Sequence, residues 1–176
     1  MLAHFWEETQ PLPAPAQKLK ERLRLLSVEL DNAVWATNPS FDDLPAVCDY
    51  LVSYAANYFE DSGIRCDIDV PERFPEVPIS PRTRQHLLQA VKEALTNVSR
   101  HAQASHVRFC LRLANGWLTV VIHDNGAGFD PQRATQKGRH GLKHLQERLK
   151  LAGRTAHIKT SPSGTVVELS MPLDGA

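Results

Sequence analysis

An α+β fold, in two layers with helices on one face of a mixed, mostly antiparallel sheet, is the class this sequence predicts. Three observations carry the prediction. Apolar residues recur at helical spacing in four stretches, and at the two-residue spacing of strands in several others. Two pairs of strand-like runs are joined by turn sequences, Ala114-Asn115-Gly116-Trp117 and Ser161-Pro162-Ser163-Gly164, and a hairpin is antiparallel by construction. The order is helix, helix, strand, helix, strand, strand, loop, helix, strand, strand, which lacks the strict alternation that builds a parallel sheet.

Each element follows from its residues. Pro11, Pro13 and Pro15 hold the first stretch extended, so residues 1–16 read as a leader or linker. Leu19, Leu23, Leu26, Leu30, Ala33 and Val34 then mark an amphipathic helix that ends before Asn38-Pro39, and residues 17–38 form its segment. Asp42 or Asp43 caps a second helix with the stripe Leu44, Val47, Leu51, Tyr54, Ala55, Tyr58 and Phe59, closed by Gly63. Ile64, Cys66, Ile68 and Val70 alternate with Arg65, Asp67 and Asp69 as in a half-buried strand.

After the proline-rich residues 71–78, Ser80-Pro81 opens a helix running to about His101, with a capping hydroxyl and a proline where no N–H is needed. Its stripe is Leu87, Leu88, Val91, Ala94, Leu95, Val98 and Ala102. Strands follow at 107–113 and 118–122, then a polar loop at 130–139. A helix at 140–152 is closed by Gly153, and strands at 156–160 and 165–171 end the chain. Residues 39–176 read as one domain.

Composition narrows the function. Lys+Arg and Asp+Glu both number 20, so no electrostatic footprint for nucleic acid or an anionic membrane is present and no nucleic-acid partner is expected. Three widely spaced cysteines, Cys48, Cys66 and Cys110, suggest buried free thiols in a reducing compartment rather than a disulfide framework or a zinc site. No signal peptide and no membrane-length apolar run is visible. The expected location is the cytoplasm, which includes the cytoplasmic part of a membrane-bound sensor.

Chemistry concentrates in three places. The strand at 118–122 is followed by His123 and then by Asp124-Asn125-Gly126-Ala127-Gly128-Phe129, where a carboxylate can accept from a ligand amine. Gly126 and Gly128 there permit positive φ and close approach of main-chain N–H groups to an anion. The same residues also describe an ordinary tight turn. On the helix from Ser80, Gln89, Glu93, Asn97 and His101 fall four apart in one row, which is either a solvated face or a set of ligands. In the second case Glu93 and Asn97 hold a hard cation through oxygen, and Arg100 or His101 meets phosphate. Finally, Gly138-Arg139-His140-Gly141-Leu142 precedes a helix, whose amino terminus suits phosphate, although the glycines also serve a simple turn.

Lys92-Glu93-Ala94-Leu95-Thr96-Asn97 with His101-Ala102, the Asp124 to Phe129 stretch, Gly138 to Leu142 and Gly164-Thr165, in that order, resemble the ATP-binding domain of sensor histidine kinases. That family shares the Bergerat fold with gyrase B, MutL and a heat-shock chaperone, together the GHKL ATPases. The likeness covers roughly residues 64–173, and Ala33-Val34-Trp35-Ala36 with Asn38-Pro39 further resembles the branch that includes the nitrate/nitrite sensors.

The resemblance implies ATP and Mg²⁺ as cofactors. By it Asp124 accepts the adenine amino proton, Gly126, Gly128 and Phe129 shape the pocket, and Thr165 helps hold water around the base. Asn97 ligates Mg²⁺ with Glu93 ordering the metal and acting as the catalytic residue, Arg100 and His101 contact phosphate, and Gly138, His140, Gly141 and Leu142 belong to the lid and helix-start cap. Residues 17–38 become the tail of a dimerisation helix. The implied partners are a histidine-bearing dimerisation domain and a response regulator receiver domain, in a full-length homodimer.

Two features depart from the family's pattern. Arg139 stands where the first glycine of Gly-x-Gly-Leu is expected, and the setting of the family's phosphoacceptor histidine is missing, His4 being the one histidine before His86. The expected activity is therefore γ-phosphoryl transfer to a histidine on a dimerisation domain, without autophosphorylation by this chain alone. A GHKL ATPase or anti-sigma-type serine kinase, and a non-catalytic nucleotide-sensing or docking module, are the alternatives.

Overall fold

A computed structural model describes Pro15, Asn38 and residues 42–60, 62–129 and 155–173. The chain divides into two units, Met1–Thr37 and Asn38–Ala176, and the sheet and helices below belong to the second. The leader, the first helix, the 130–139 loop and the 140–152 helix lie outside the described residues.

Helix α1, Leu44–Tyr58, starts at Asp43, whose carboxylate accepts the Ala46 N–H at 2.8 Å. Asp42, the other candidate cap, has a different task. Its Oδ1 accepts from Arg84 Nη1 at 2.9 Å, and the same nitrogen donates to the Asn38 carbonyl at 3.0 Å. The Arg84 side chain is only 1% exposed, so these bonds offset the desolvation of its charge and tie the start of the unit to the next helix. Nothing in the apolar periodicity pointed to Arg84.

The expected closure of α1 at Gly63 is corrected. The helix stops at Tyr58, and the Phe59 carbonyl is taken by the N–H and hydroxyl of Ser62, at 3.0 and 2.8 Å, before Gly63 is reached at φ +73°.

Strand β1 is Arg65–Asp69. Helix α2, Pro81–Asn97, has Ser80 as its cap, accepting from the Thr83 N–H at 3.2 Å, with Pro81 in the first turn as expected. It continues into a single wide π-turn, Val98–Ala102, that ends at Gln103 in the left-handed region. Strands β2, His106–Ala114, and β3, Trp117–Asp124, form the first hairpin, with Asn115 and Gly116 both at positive φ as a two-residue turn requires. Strands β4, Thr155–Ser161, and β5, Gly164–Pro172, form the second.

Among the described residues five strands lie in the order β1-β2-β3-β5-β4, with β1–β2 parallel and the other pairs antiparallel. Cross-strand partners share a face, so Phe109, Ile122, Val167 and Ile158 line up on one side, as do Leu111, Val120, Leu169 and Ala156. That side meets α1 over β1 and β2, and α2 over β3 and β5, and it forms the core with Leu51, Leu87, Val91 and Leu95. Each large apolar side chain so buried contributes about 1.5–3 kcal/mol.

The other face is polar. Asp67 accepts from Arg65 and His106, both at 2.8 Å, and Asp69 from Arg112 and Arg108 at 2.7 and 2.9 Å. The Arg65 bond, followed by that from His106, holds Asp67 below the usual carboxylate range, and the Arg112 bond does so first for Asp69. Among the described residues no helix is long and apolar enough to cross a membrane.

The three thiols are free, Cys48 and Cys110 being buried. Burial, with a smaller contribution from Asp49, pushes the Cys48 thiol up to about 12. An unfolded thiol ionises near about 8.5. Between that value and about 12 the unfolded chain gains charge that the folded chain does not, so the folded state loses stability as pH rises through this window. Brief alkylation with iodoacetamide at pH 9, read by mass spectrometry, should therefore leave Cys48 unmodified in the folded chain and modify it in urea. Equal labelling in both would contradict the burial.

Candidate functional site

Asp124 is the last residue of β3, flanked by Val107 on β2 and Thr165 on β5. Val107 and Thr165 share the helix-facing side with Asp124, and Asp124 and Thr165 are 4% and 7% exposed, which places the Asp124 carboxylate at the rim of the core. Its Oδ1 accepts from the N–H of Gly126 at 2.9 Å and of Thr165 at 3.3 Å. Its Oδ2 accepts nothing among the described residues, and no cation pairs with it there. One oxygen is thus locked by backbone donors, and the other has acceptor capacity that no described residue uses.

The loop after β3 is held by its own backbone. Asn125 N–H donates to the His106 carbonyl at 3.1 Å, and the Asn125 side chain accepts from the N–H groups of Ser105 and His106 and donates to Ser105 Oγ, each at 3.0 Å. Asn125 is therefore spent on fastening β3 to the start of β2. Ala127 N–H donates to the Ala102 carbonyl at 2.8 Å, which joins the loop to the end of α2.

The expectation that this loop offers its N–H groups to an anion is corrected at Gly126, Ala127 and Phe129, whose N–H groups go to Asp124, Ala102 and Thr160. The glycines serve close packing instead. A Cβ on Gly126 would collide with the Ala102 carbonyl, and one on Gly128, at φ +62°, with the Ser161 carbonyl. Gly164, at φ +134°, lies against the Asp124 carbonyl in the same way.

Because Ala102 is the shared contact, the end of α2 comes to the end of β3. Glu93 and Asn97 are half-buried there, with Asn97 Nδ2 donating to Glu93 Oε1 at 3.5 Å. Asn97 Oδ1 and Glu93 Oε2 accept nothing among the described residues, so two hard oxygen donors one helical turn apart stay open. The row drawn through Gln89, Glu93, Asn97 and His101 is corrected at its last member. The π-turn lengthens the repeat after Asn97, so His101 no longer stands one α-turn above it, and both Arg100 and His101 are exposed. Phe129 is half-buried beside Thr160. Gly138, His140, Gly141 and Leu142 lie outside the described residues.

Thr160 was not singled out from the sequence, although the alternation of Ala156, Ile158 and Thr160 already put it in phase with the buried side of its strand.

A model of the histidine kinase-like ATPase domain matches residues 72–171. The chain is 37% identical over 139 residues to the signal transduction histidine-protein kinase/phosphatase DegS of Brevibacillus brevis, covering 76% of this chain and 34% of that protein. It is 34% identical over 164 residues to the nitrate/nitrite sensor protein NarQ of Escherichia coli strain K12, covering 92% of this chain and 26% of that protein. It spans from under a fifth to a little over a third of the length of the curated relatives it matches.

Among solved structures, the histidine kinase domain of the Erythrobacter litoralis EL346 blue-light activated kinase superposes with a TM-score of 0.60 at 20% identity, over 72% of this chain and 61% of that one. The Acinetobacter baumannii histidine kinase AdeS does so with 0.61 at 15% identity, over 94% and 87%. At these identities the likeness is one of fold.

Proposed function

This chain belongs to the family of histidine kinase-like ATPase domains, and from that premise we propose that it binds Mg²⁺-ATP as the catalytic domain of a two-component sensor kinase. Its γ-phosphoryl group goes to a histidine on a dimerisation domain, of which residues 17–38 are the tail. The observation that carries the reading is the divided carboxylate of Asp124. With Oδ1 held by two backbone N–H groups, the remaining oxygen is an acceptor of fixed direction in a buried place. Adenine presents an amine donor at the position where guanine presents an acceptor, so this oxygen favours adenine. Thr165 stands beside it to order water around the base.

Glu93 and Asn97 fit a hard divalent cation by donor type and spacing, and they are the residues that would hold Mg²⁺. When bound, that ion neutralises charge between phosphates. The chain's own part is positioning. The Ala102 contact keeps the Glu93–Asn97 helix next to the base-binding strand, and the exposed Arg100 and His101 can turn to phosphate oxygens. Glu93, half-buried and with one oxygen that accepts nothing among the described residues, is assigned the ordering of the attacking nucleophile. Gly138, His140, Gly141 and Leu142 are assigned to the phosphate end on their motif alone. The receiver domain of a response regulator and a homodimeric full-length protein complete the proposed partners, acting on the cytoplasmic side, where ATP is supplied.

The test mixes the chain with γ-labelled ATP, Mg²⁺ and a separate dimerisation domain carrying an acceptor histidine. Acid-labile label on the acceptor domain, lost with Asn97→Ala, is the expected result. Steady-state phosphate release that depends on Glu93, without transfer, would replace the kinase reading with an ATPase. Binding with neither would leave a nucleotide sensor.

A further inference from the structure

The row that begins at Asp124 continues past Thr165. The sheet register pairs Asp124 with Thr165 and Thr165 with Thr160, so all three side chains emerge on the helix-facing side at one end of β3, β5 and β4. The Thr160 hydroxyl accepts the Phe129 N–H at 2.9 Å and donates to the Phe129 carbonyl at 3.3 Å. Since a hydroxyl carries a single proton, the 3.5 Å approach of Thr165 Oγ1 is then one in which Thr165 donates. One side-chain oxygen therefore gathers both polar groups of Phe129 and touches the residue next to Asp124.

The loop 125–129 is fastened differently at its two ends. At the Asn125–Ala127 end the His106 and Ala102 carbonyls accept from it, and backbone carbonyls are present whatever the sequence. At the Gly128–Phe129 end the anchor among the described residues is the Thr160 side chain, together with the close seat of Gly128 on the Ser161 carbonyl, which gives shape. Loss of one hydroxyl thus removes the side-chain hydrogen bonds that hold this end among the described residues and leaves those of the other end in place.

We propose that Thr160 is a positioning residue of the nucleotide site, whose hydroxyl fixes the Gly128–Phe129 backbone across from Asp124 and so holds the β4 wall of the adenine pocket in its binding shape. The inference rests on the adenine-nucleotide reading above. It assigns to the β4–β5 hairpin, which carries no ligand group of its own at Thr160, a share in affinity.

The whole chain is used for the test, with Thr160→Val, which keeps the shape and removes the hydroxyl, and Thr160→Ser, which keeps the hydroxyl. Mg²⁺-ATP is titrated calorimetrically well below the unfolding temperature, and exchange of the Phe129 amide is followed by NMR. Two ordinary hydrogen bonds lost from a preorganised wall correspond to a fall of about tenfold in affinity. The Val variant should show that fall together with faster Phe129 exchange, and the Ser variant should restore both. A Val variant that melts at lower temperature yet binds ATP as the parent does would reduce Thr160 to a structural role and overturn the inference. Failure of the parent chain to bind ATP would overturn the nucleotide reading itself, and the two failures are told apart by the parent titration.

Discussion

Asp124→Asn is expected to weaken ATP binding by about a hundredfold while leaving the fold intact. The asparagine oxygen can take the place of Oδ1 and accept the Gly126 and Thr165 N–H groups, so the turn after β3 keeps its bonds. The amide nitrogen then occupies the Oδ2 position and presents donors where a ligand amine needs an acceptor. A charge-assisted hydrogen bond is worth about 1.5–3 kcal/mol, and the donor facing a donor adds a desolvation cost to its loss. Calorimetric titration with ATP measures the first effect and thermal unfolding the second. Unchanged affinity would sink the assignment of Asp124 to the base. A collapse of the melting temperature would mean that the carboxylate acts on folding instead.

Gly128→Ala should cost about 2–4 kcal/mol of stability, measured by urea unfolding. The left-handed backbone at φ +62° disfavours a side chain, and the new Cβ would drive into the backbone carbonyl of Ser161, the last residue of β4, which is paired with Gly164 on β5. Gly63 supplies the comparison, with φ +73° and nothing within 4 Å of a Cβ. Gly63→Ala should carry only the backbone part, about 1–2 kcal/mol. Equal losses in the two variants would show that the Ser161 contact does not constrain Gly128.

Much of the fold was legible from periodicity and turn chemistry because those signals are local. Ser80-Pro81 opens α2 where expected, Asn115-Gly116 turns the first hairpin, and the alternation at 64–70 is a strand with its charged residues on the open face. The sheet is mixed and mostly antiparallel with the helices against one side, as the order of elements implied. The likeness to sensor histidine kinases, including the nitrate/nitrite branch, agrees with the matched family and with NarQ. Choices between near equivalents were not legible. Asp42 and Asp43 have the same chemistry, and only the path of the chain past Arg84 gives one to the cap and the other to a buried guanidinium.

At the site, the sequence by itself determined which residue types stand together along the chain: a carboxylate at a strand end, two glycines after it, an acid and an amide four apart on a helix. These follow from spacing and side-chain chemistry alone. The tertiary structure alone decided what each group is free to do. Hydrogen-bond capacity is finite, and partners distant in sequence had already used much of it. Ala102 and Thr160 take N–H groups that the residue types of the glycine loop alone would offer to an anion, and the π-turn swings His101 out of the Glu93–Asn97 row. One oxygen each on Asp124, Glu93 and Asn97 accepts nothing among the described residues and has capacity for a ligand, which is what the proposed nucleotide site uses.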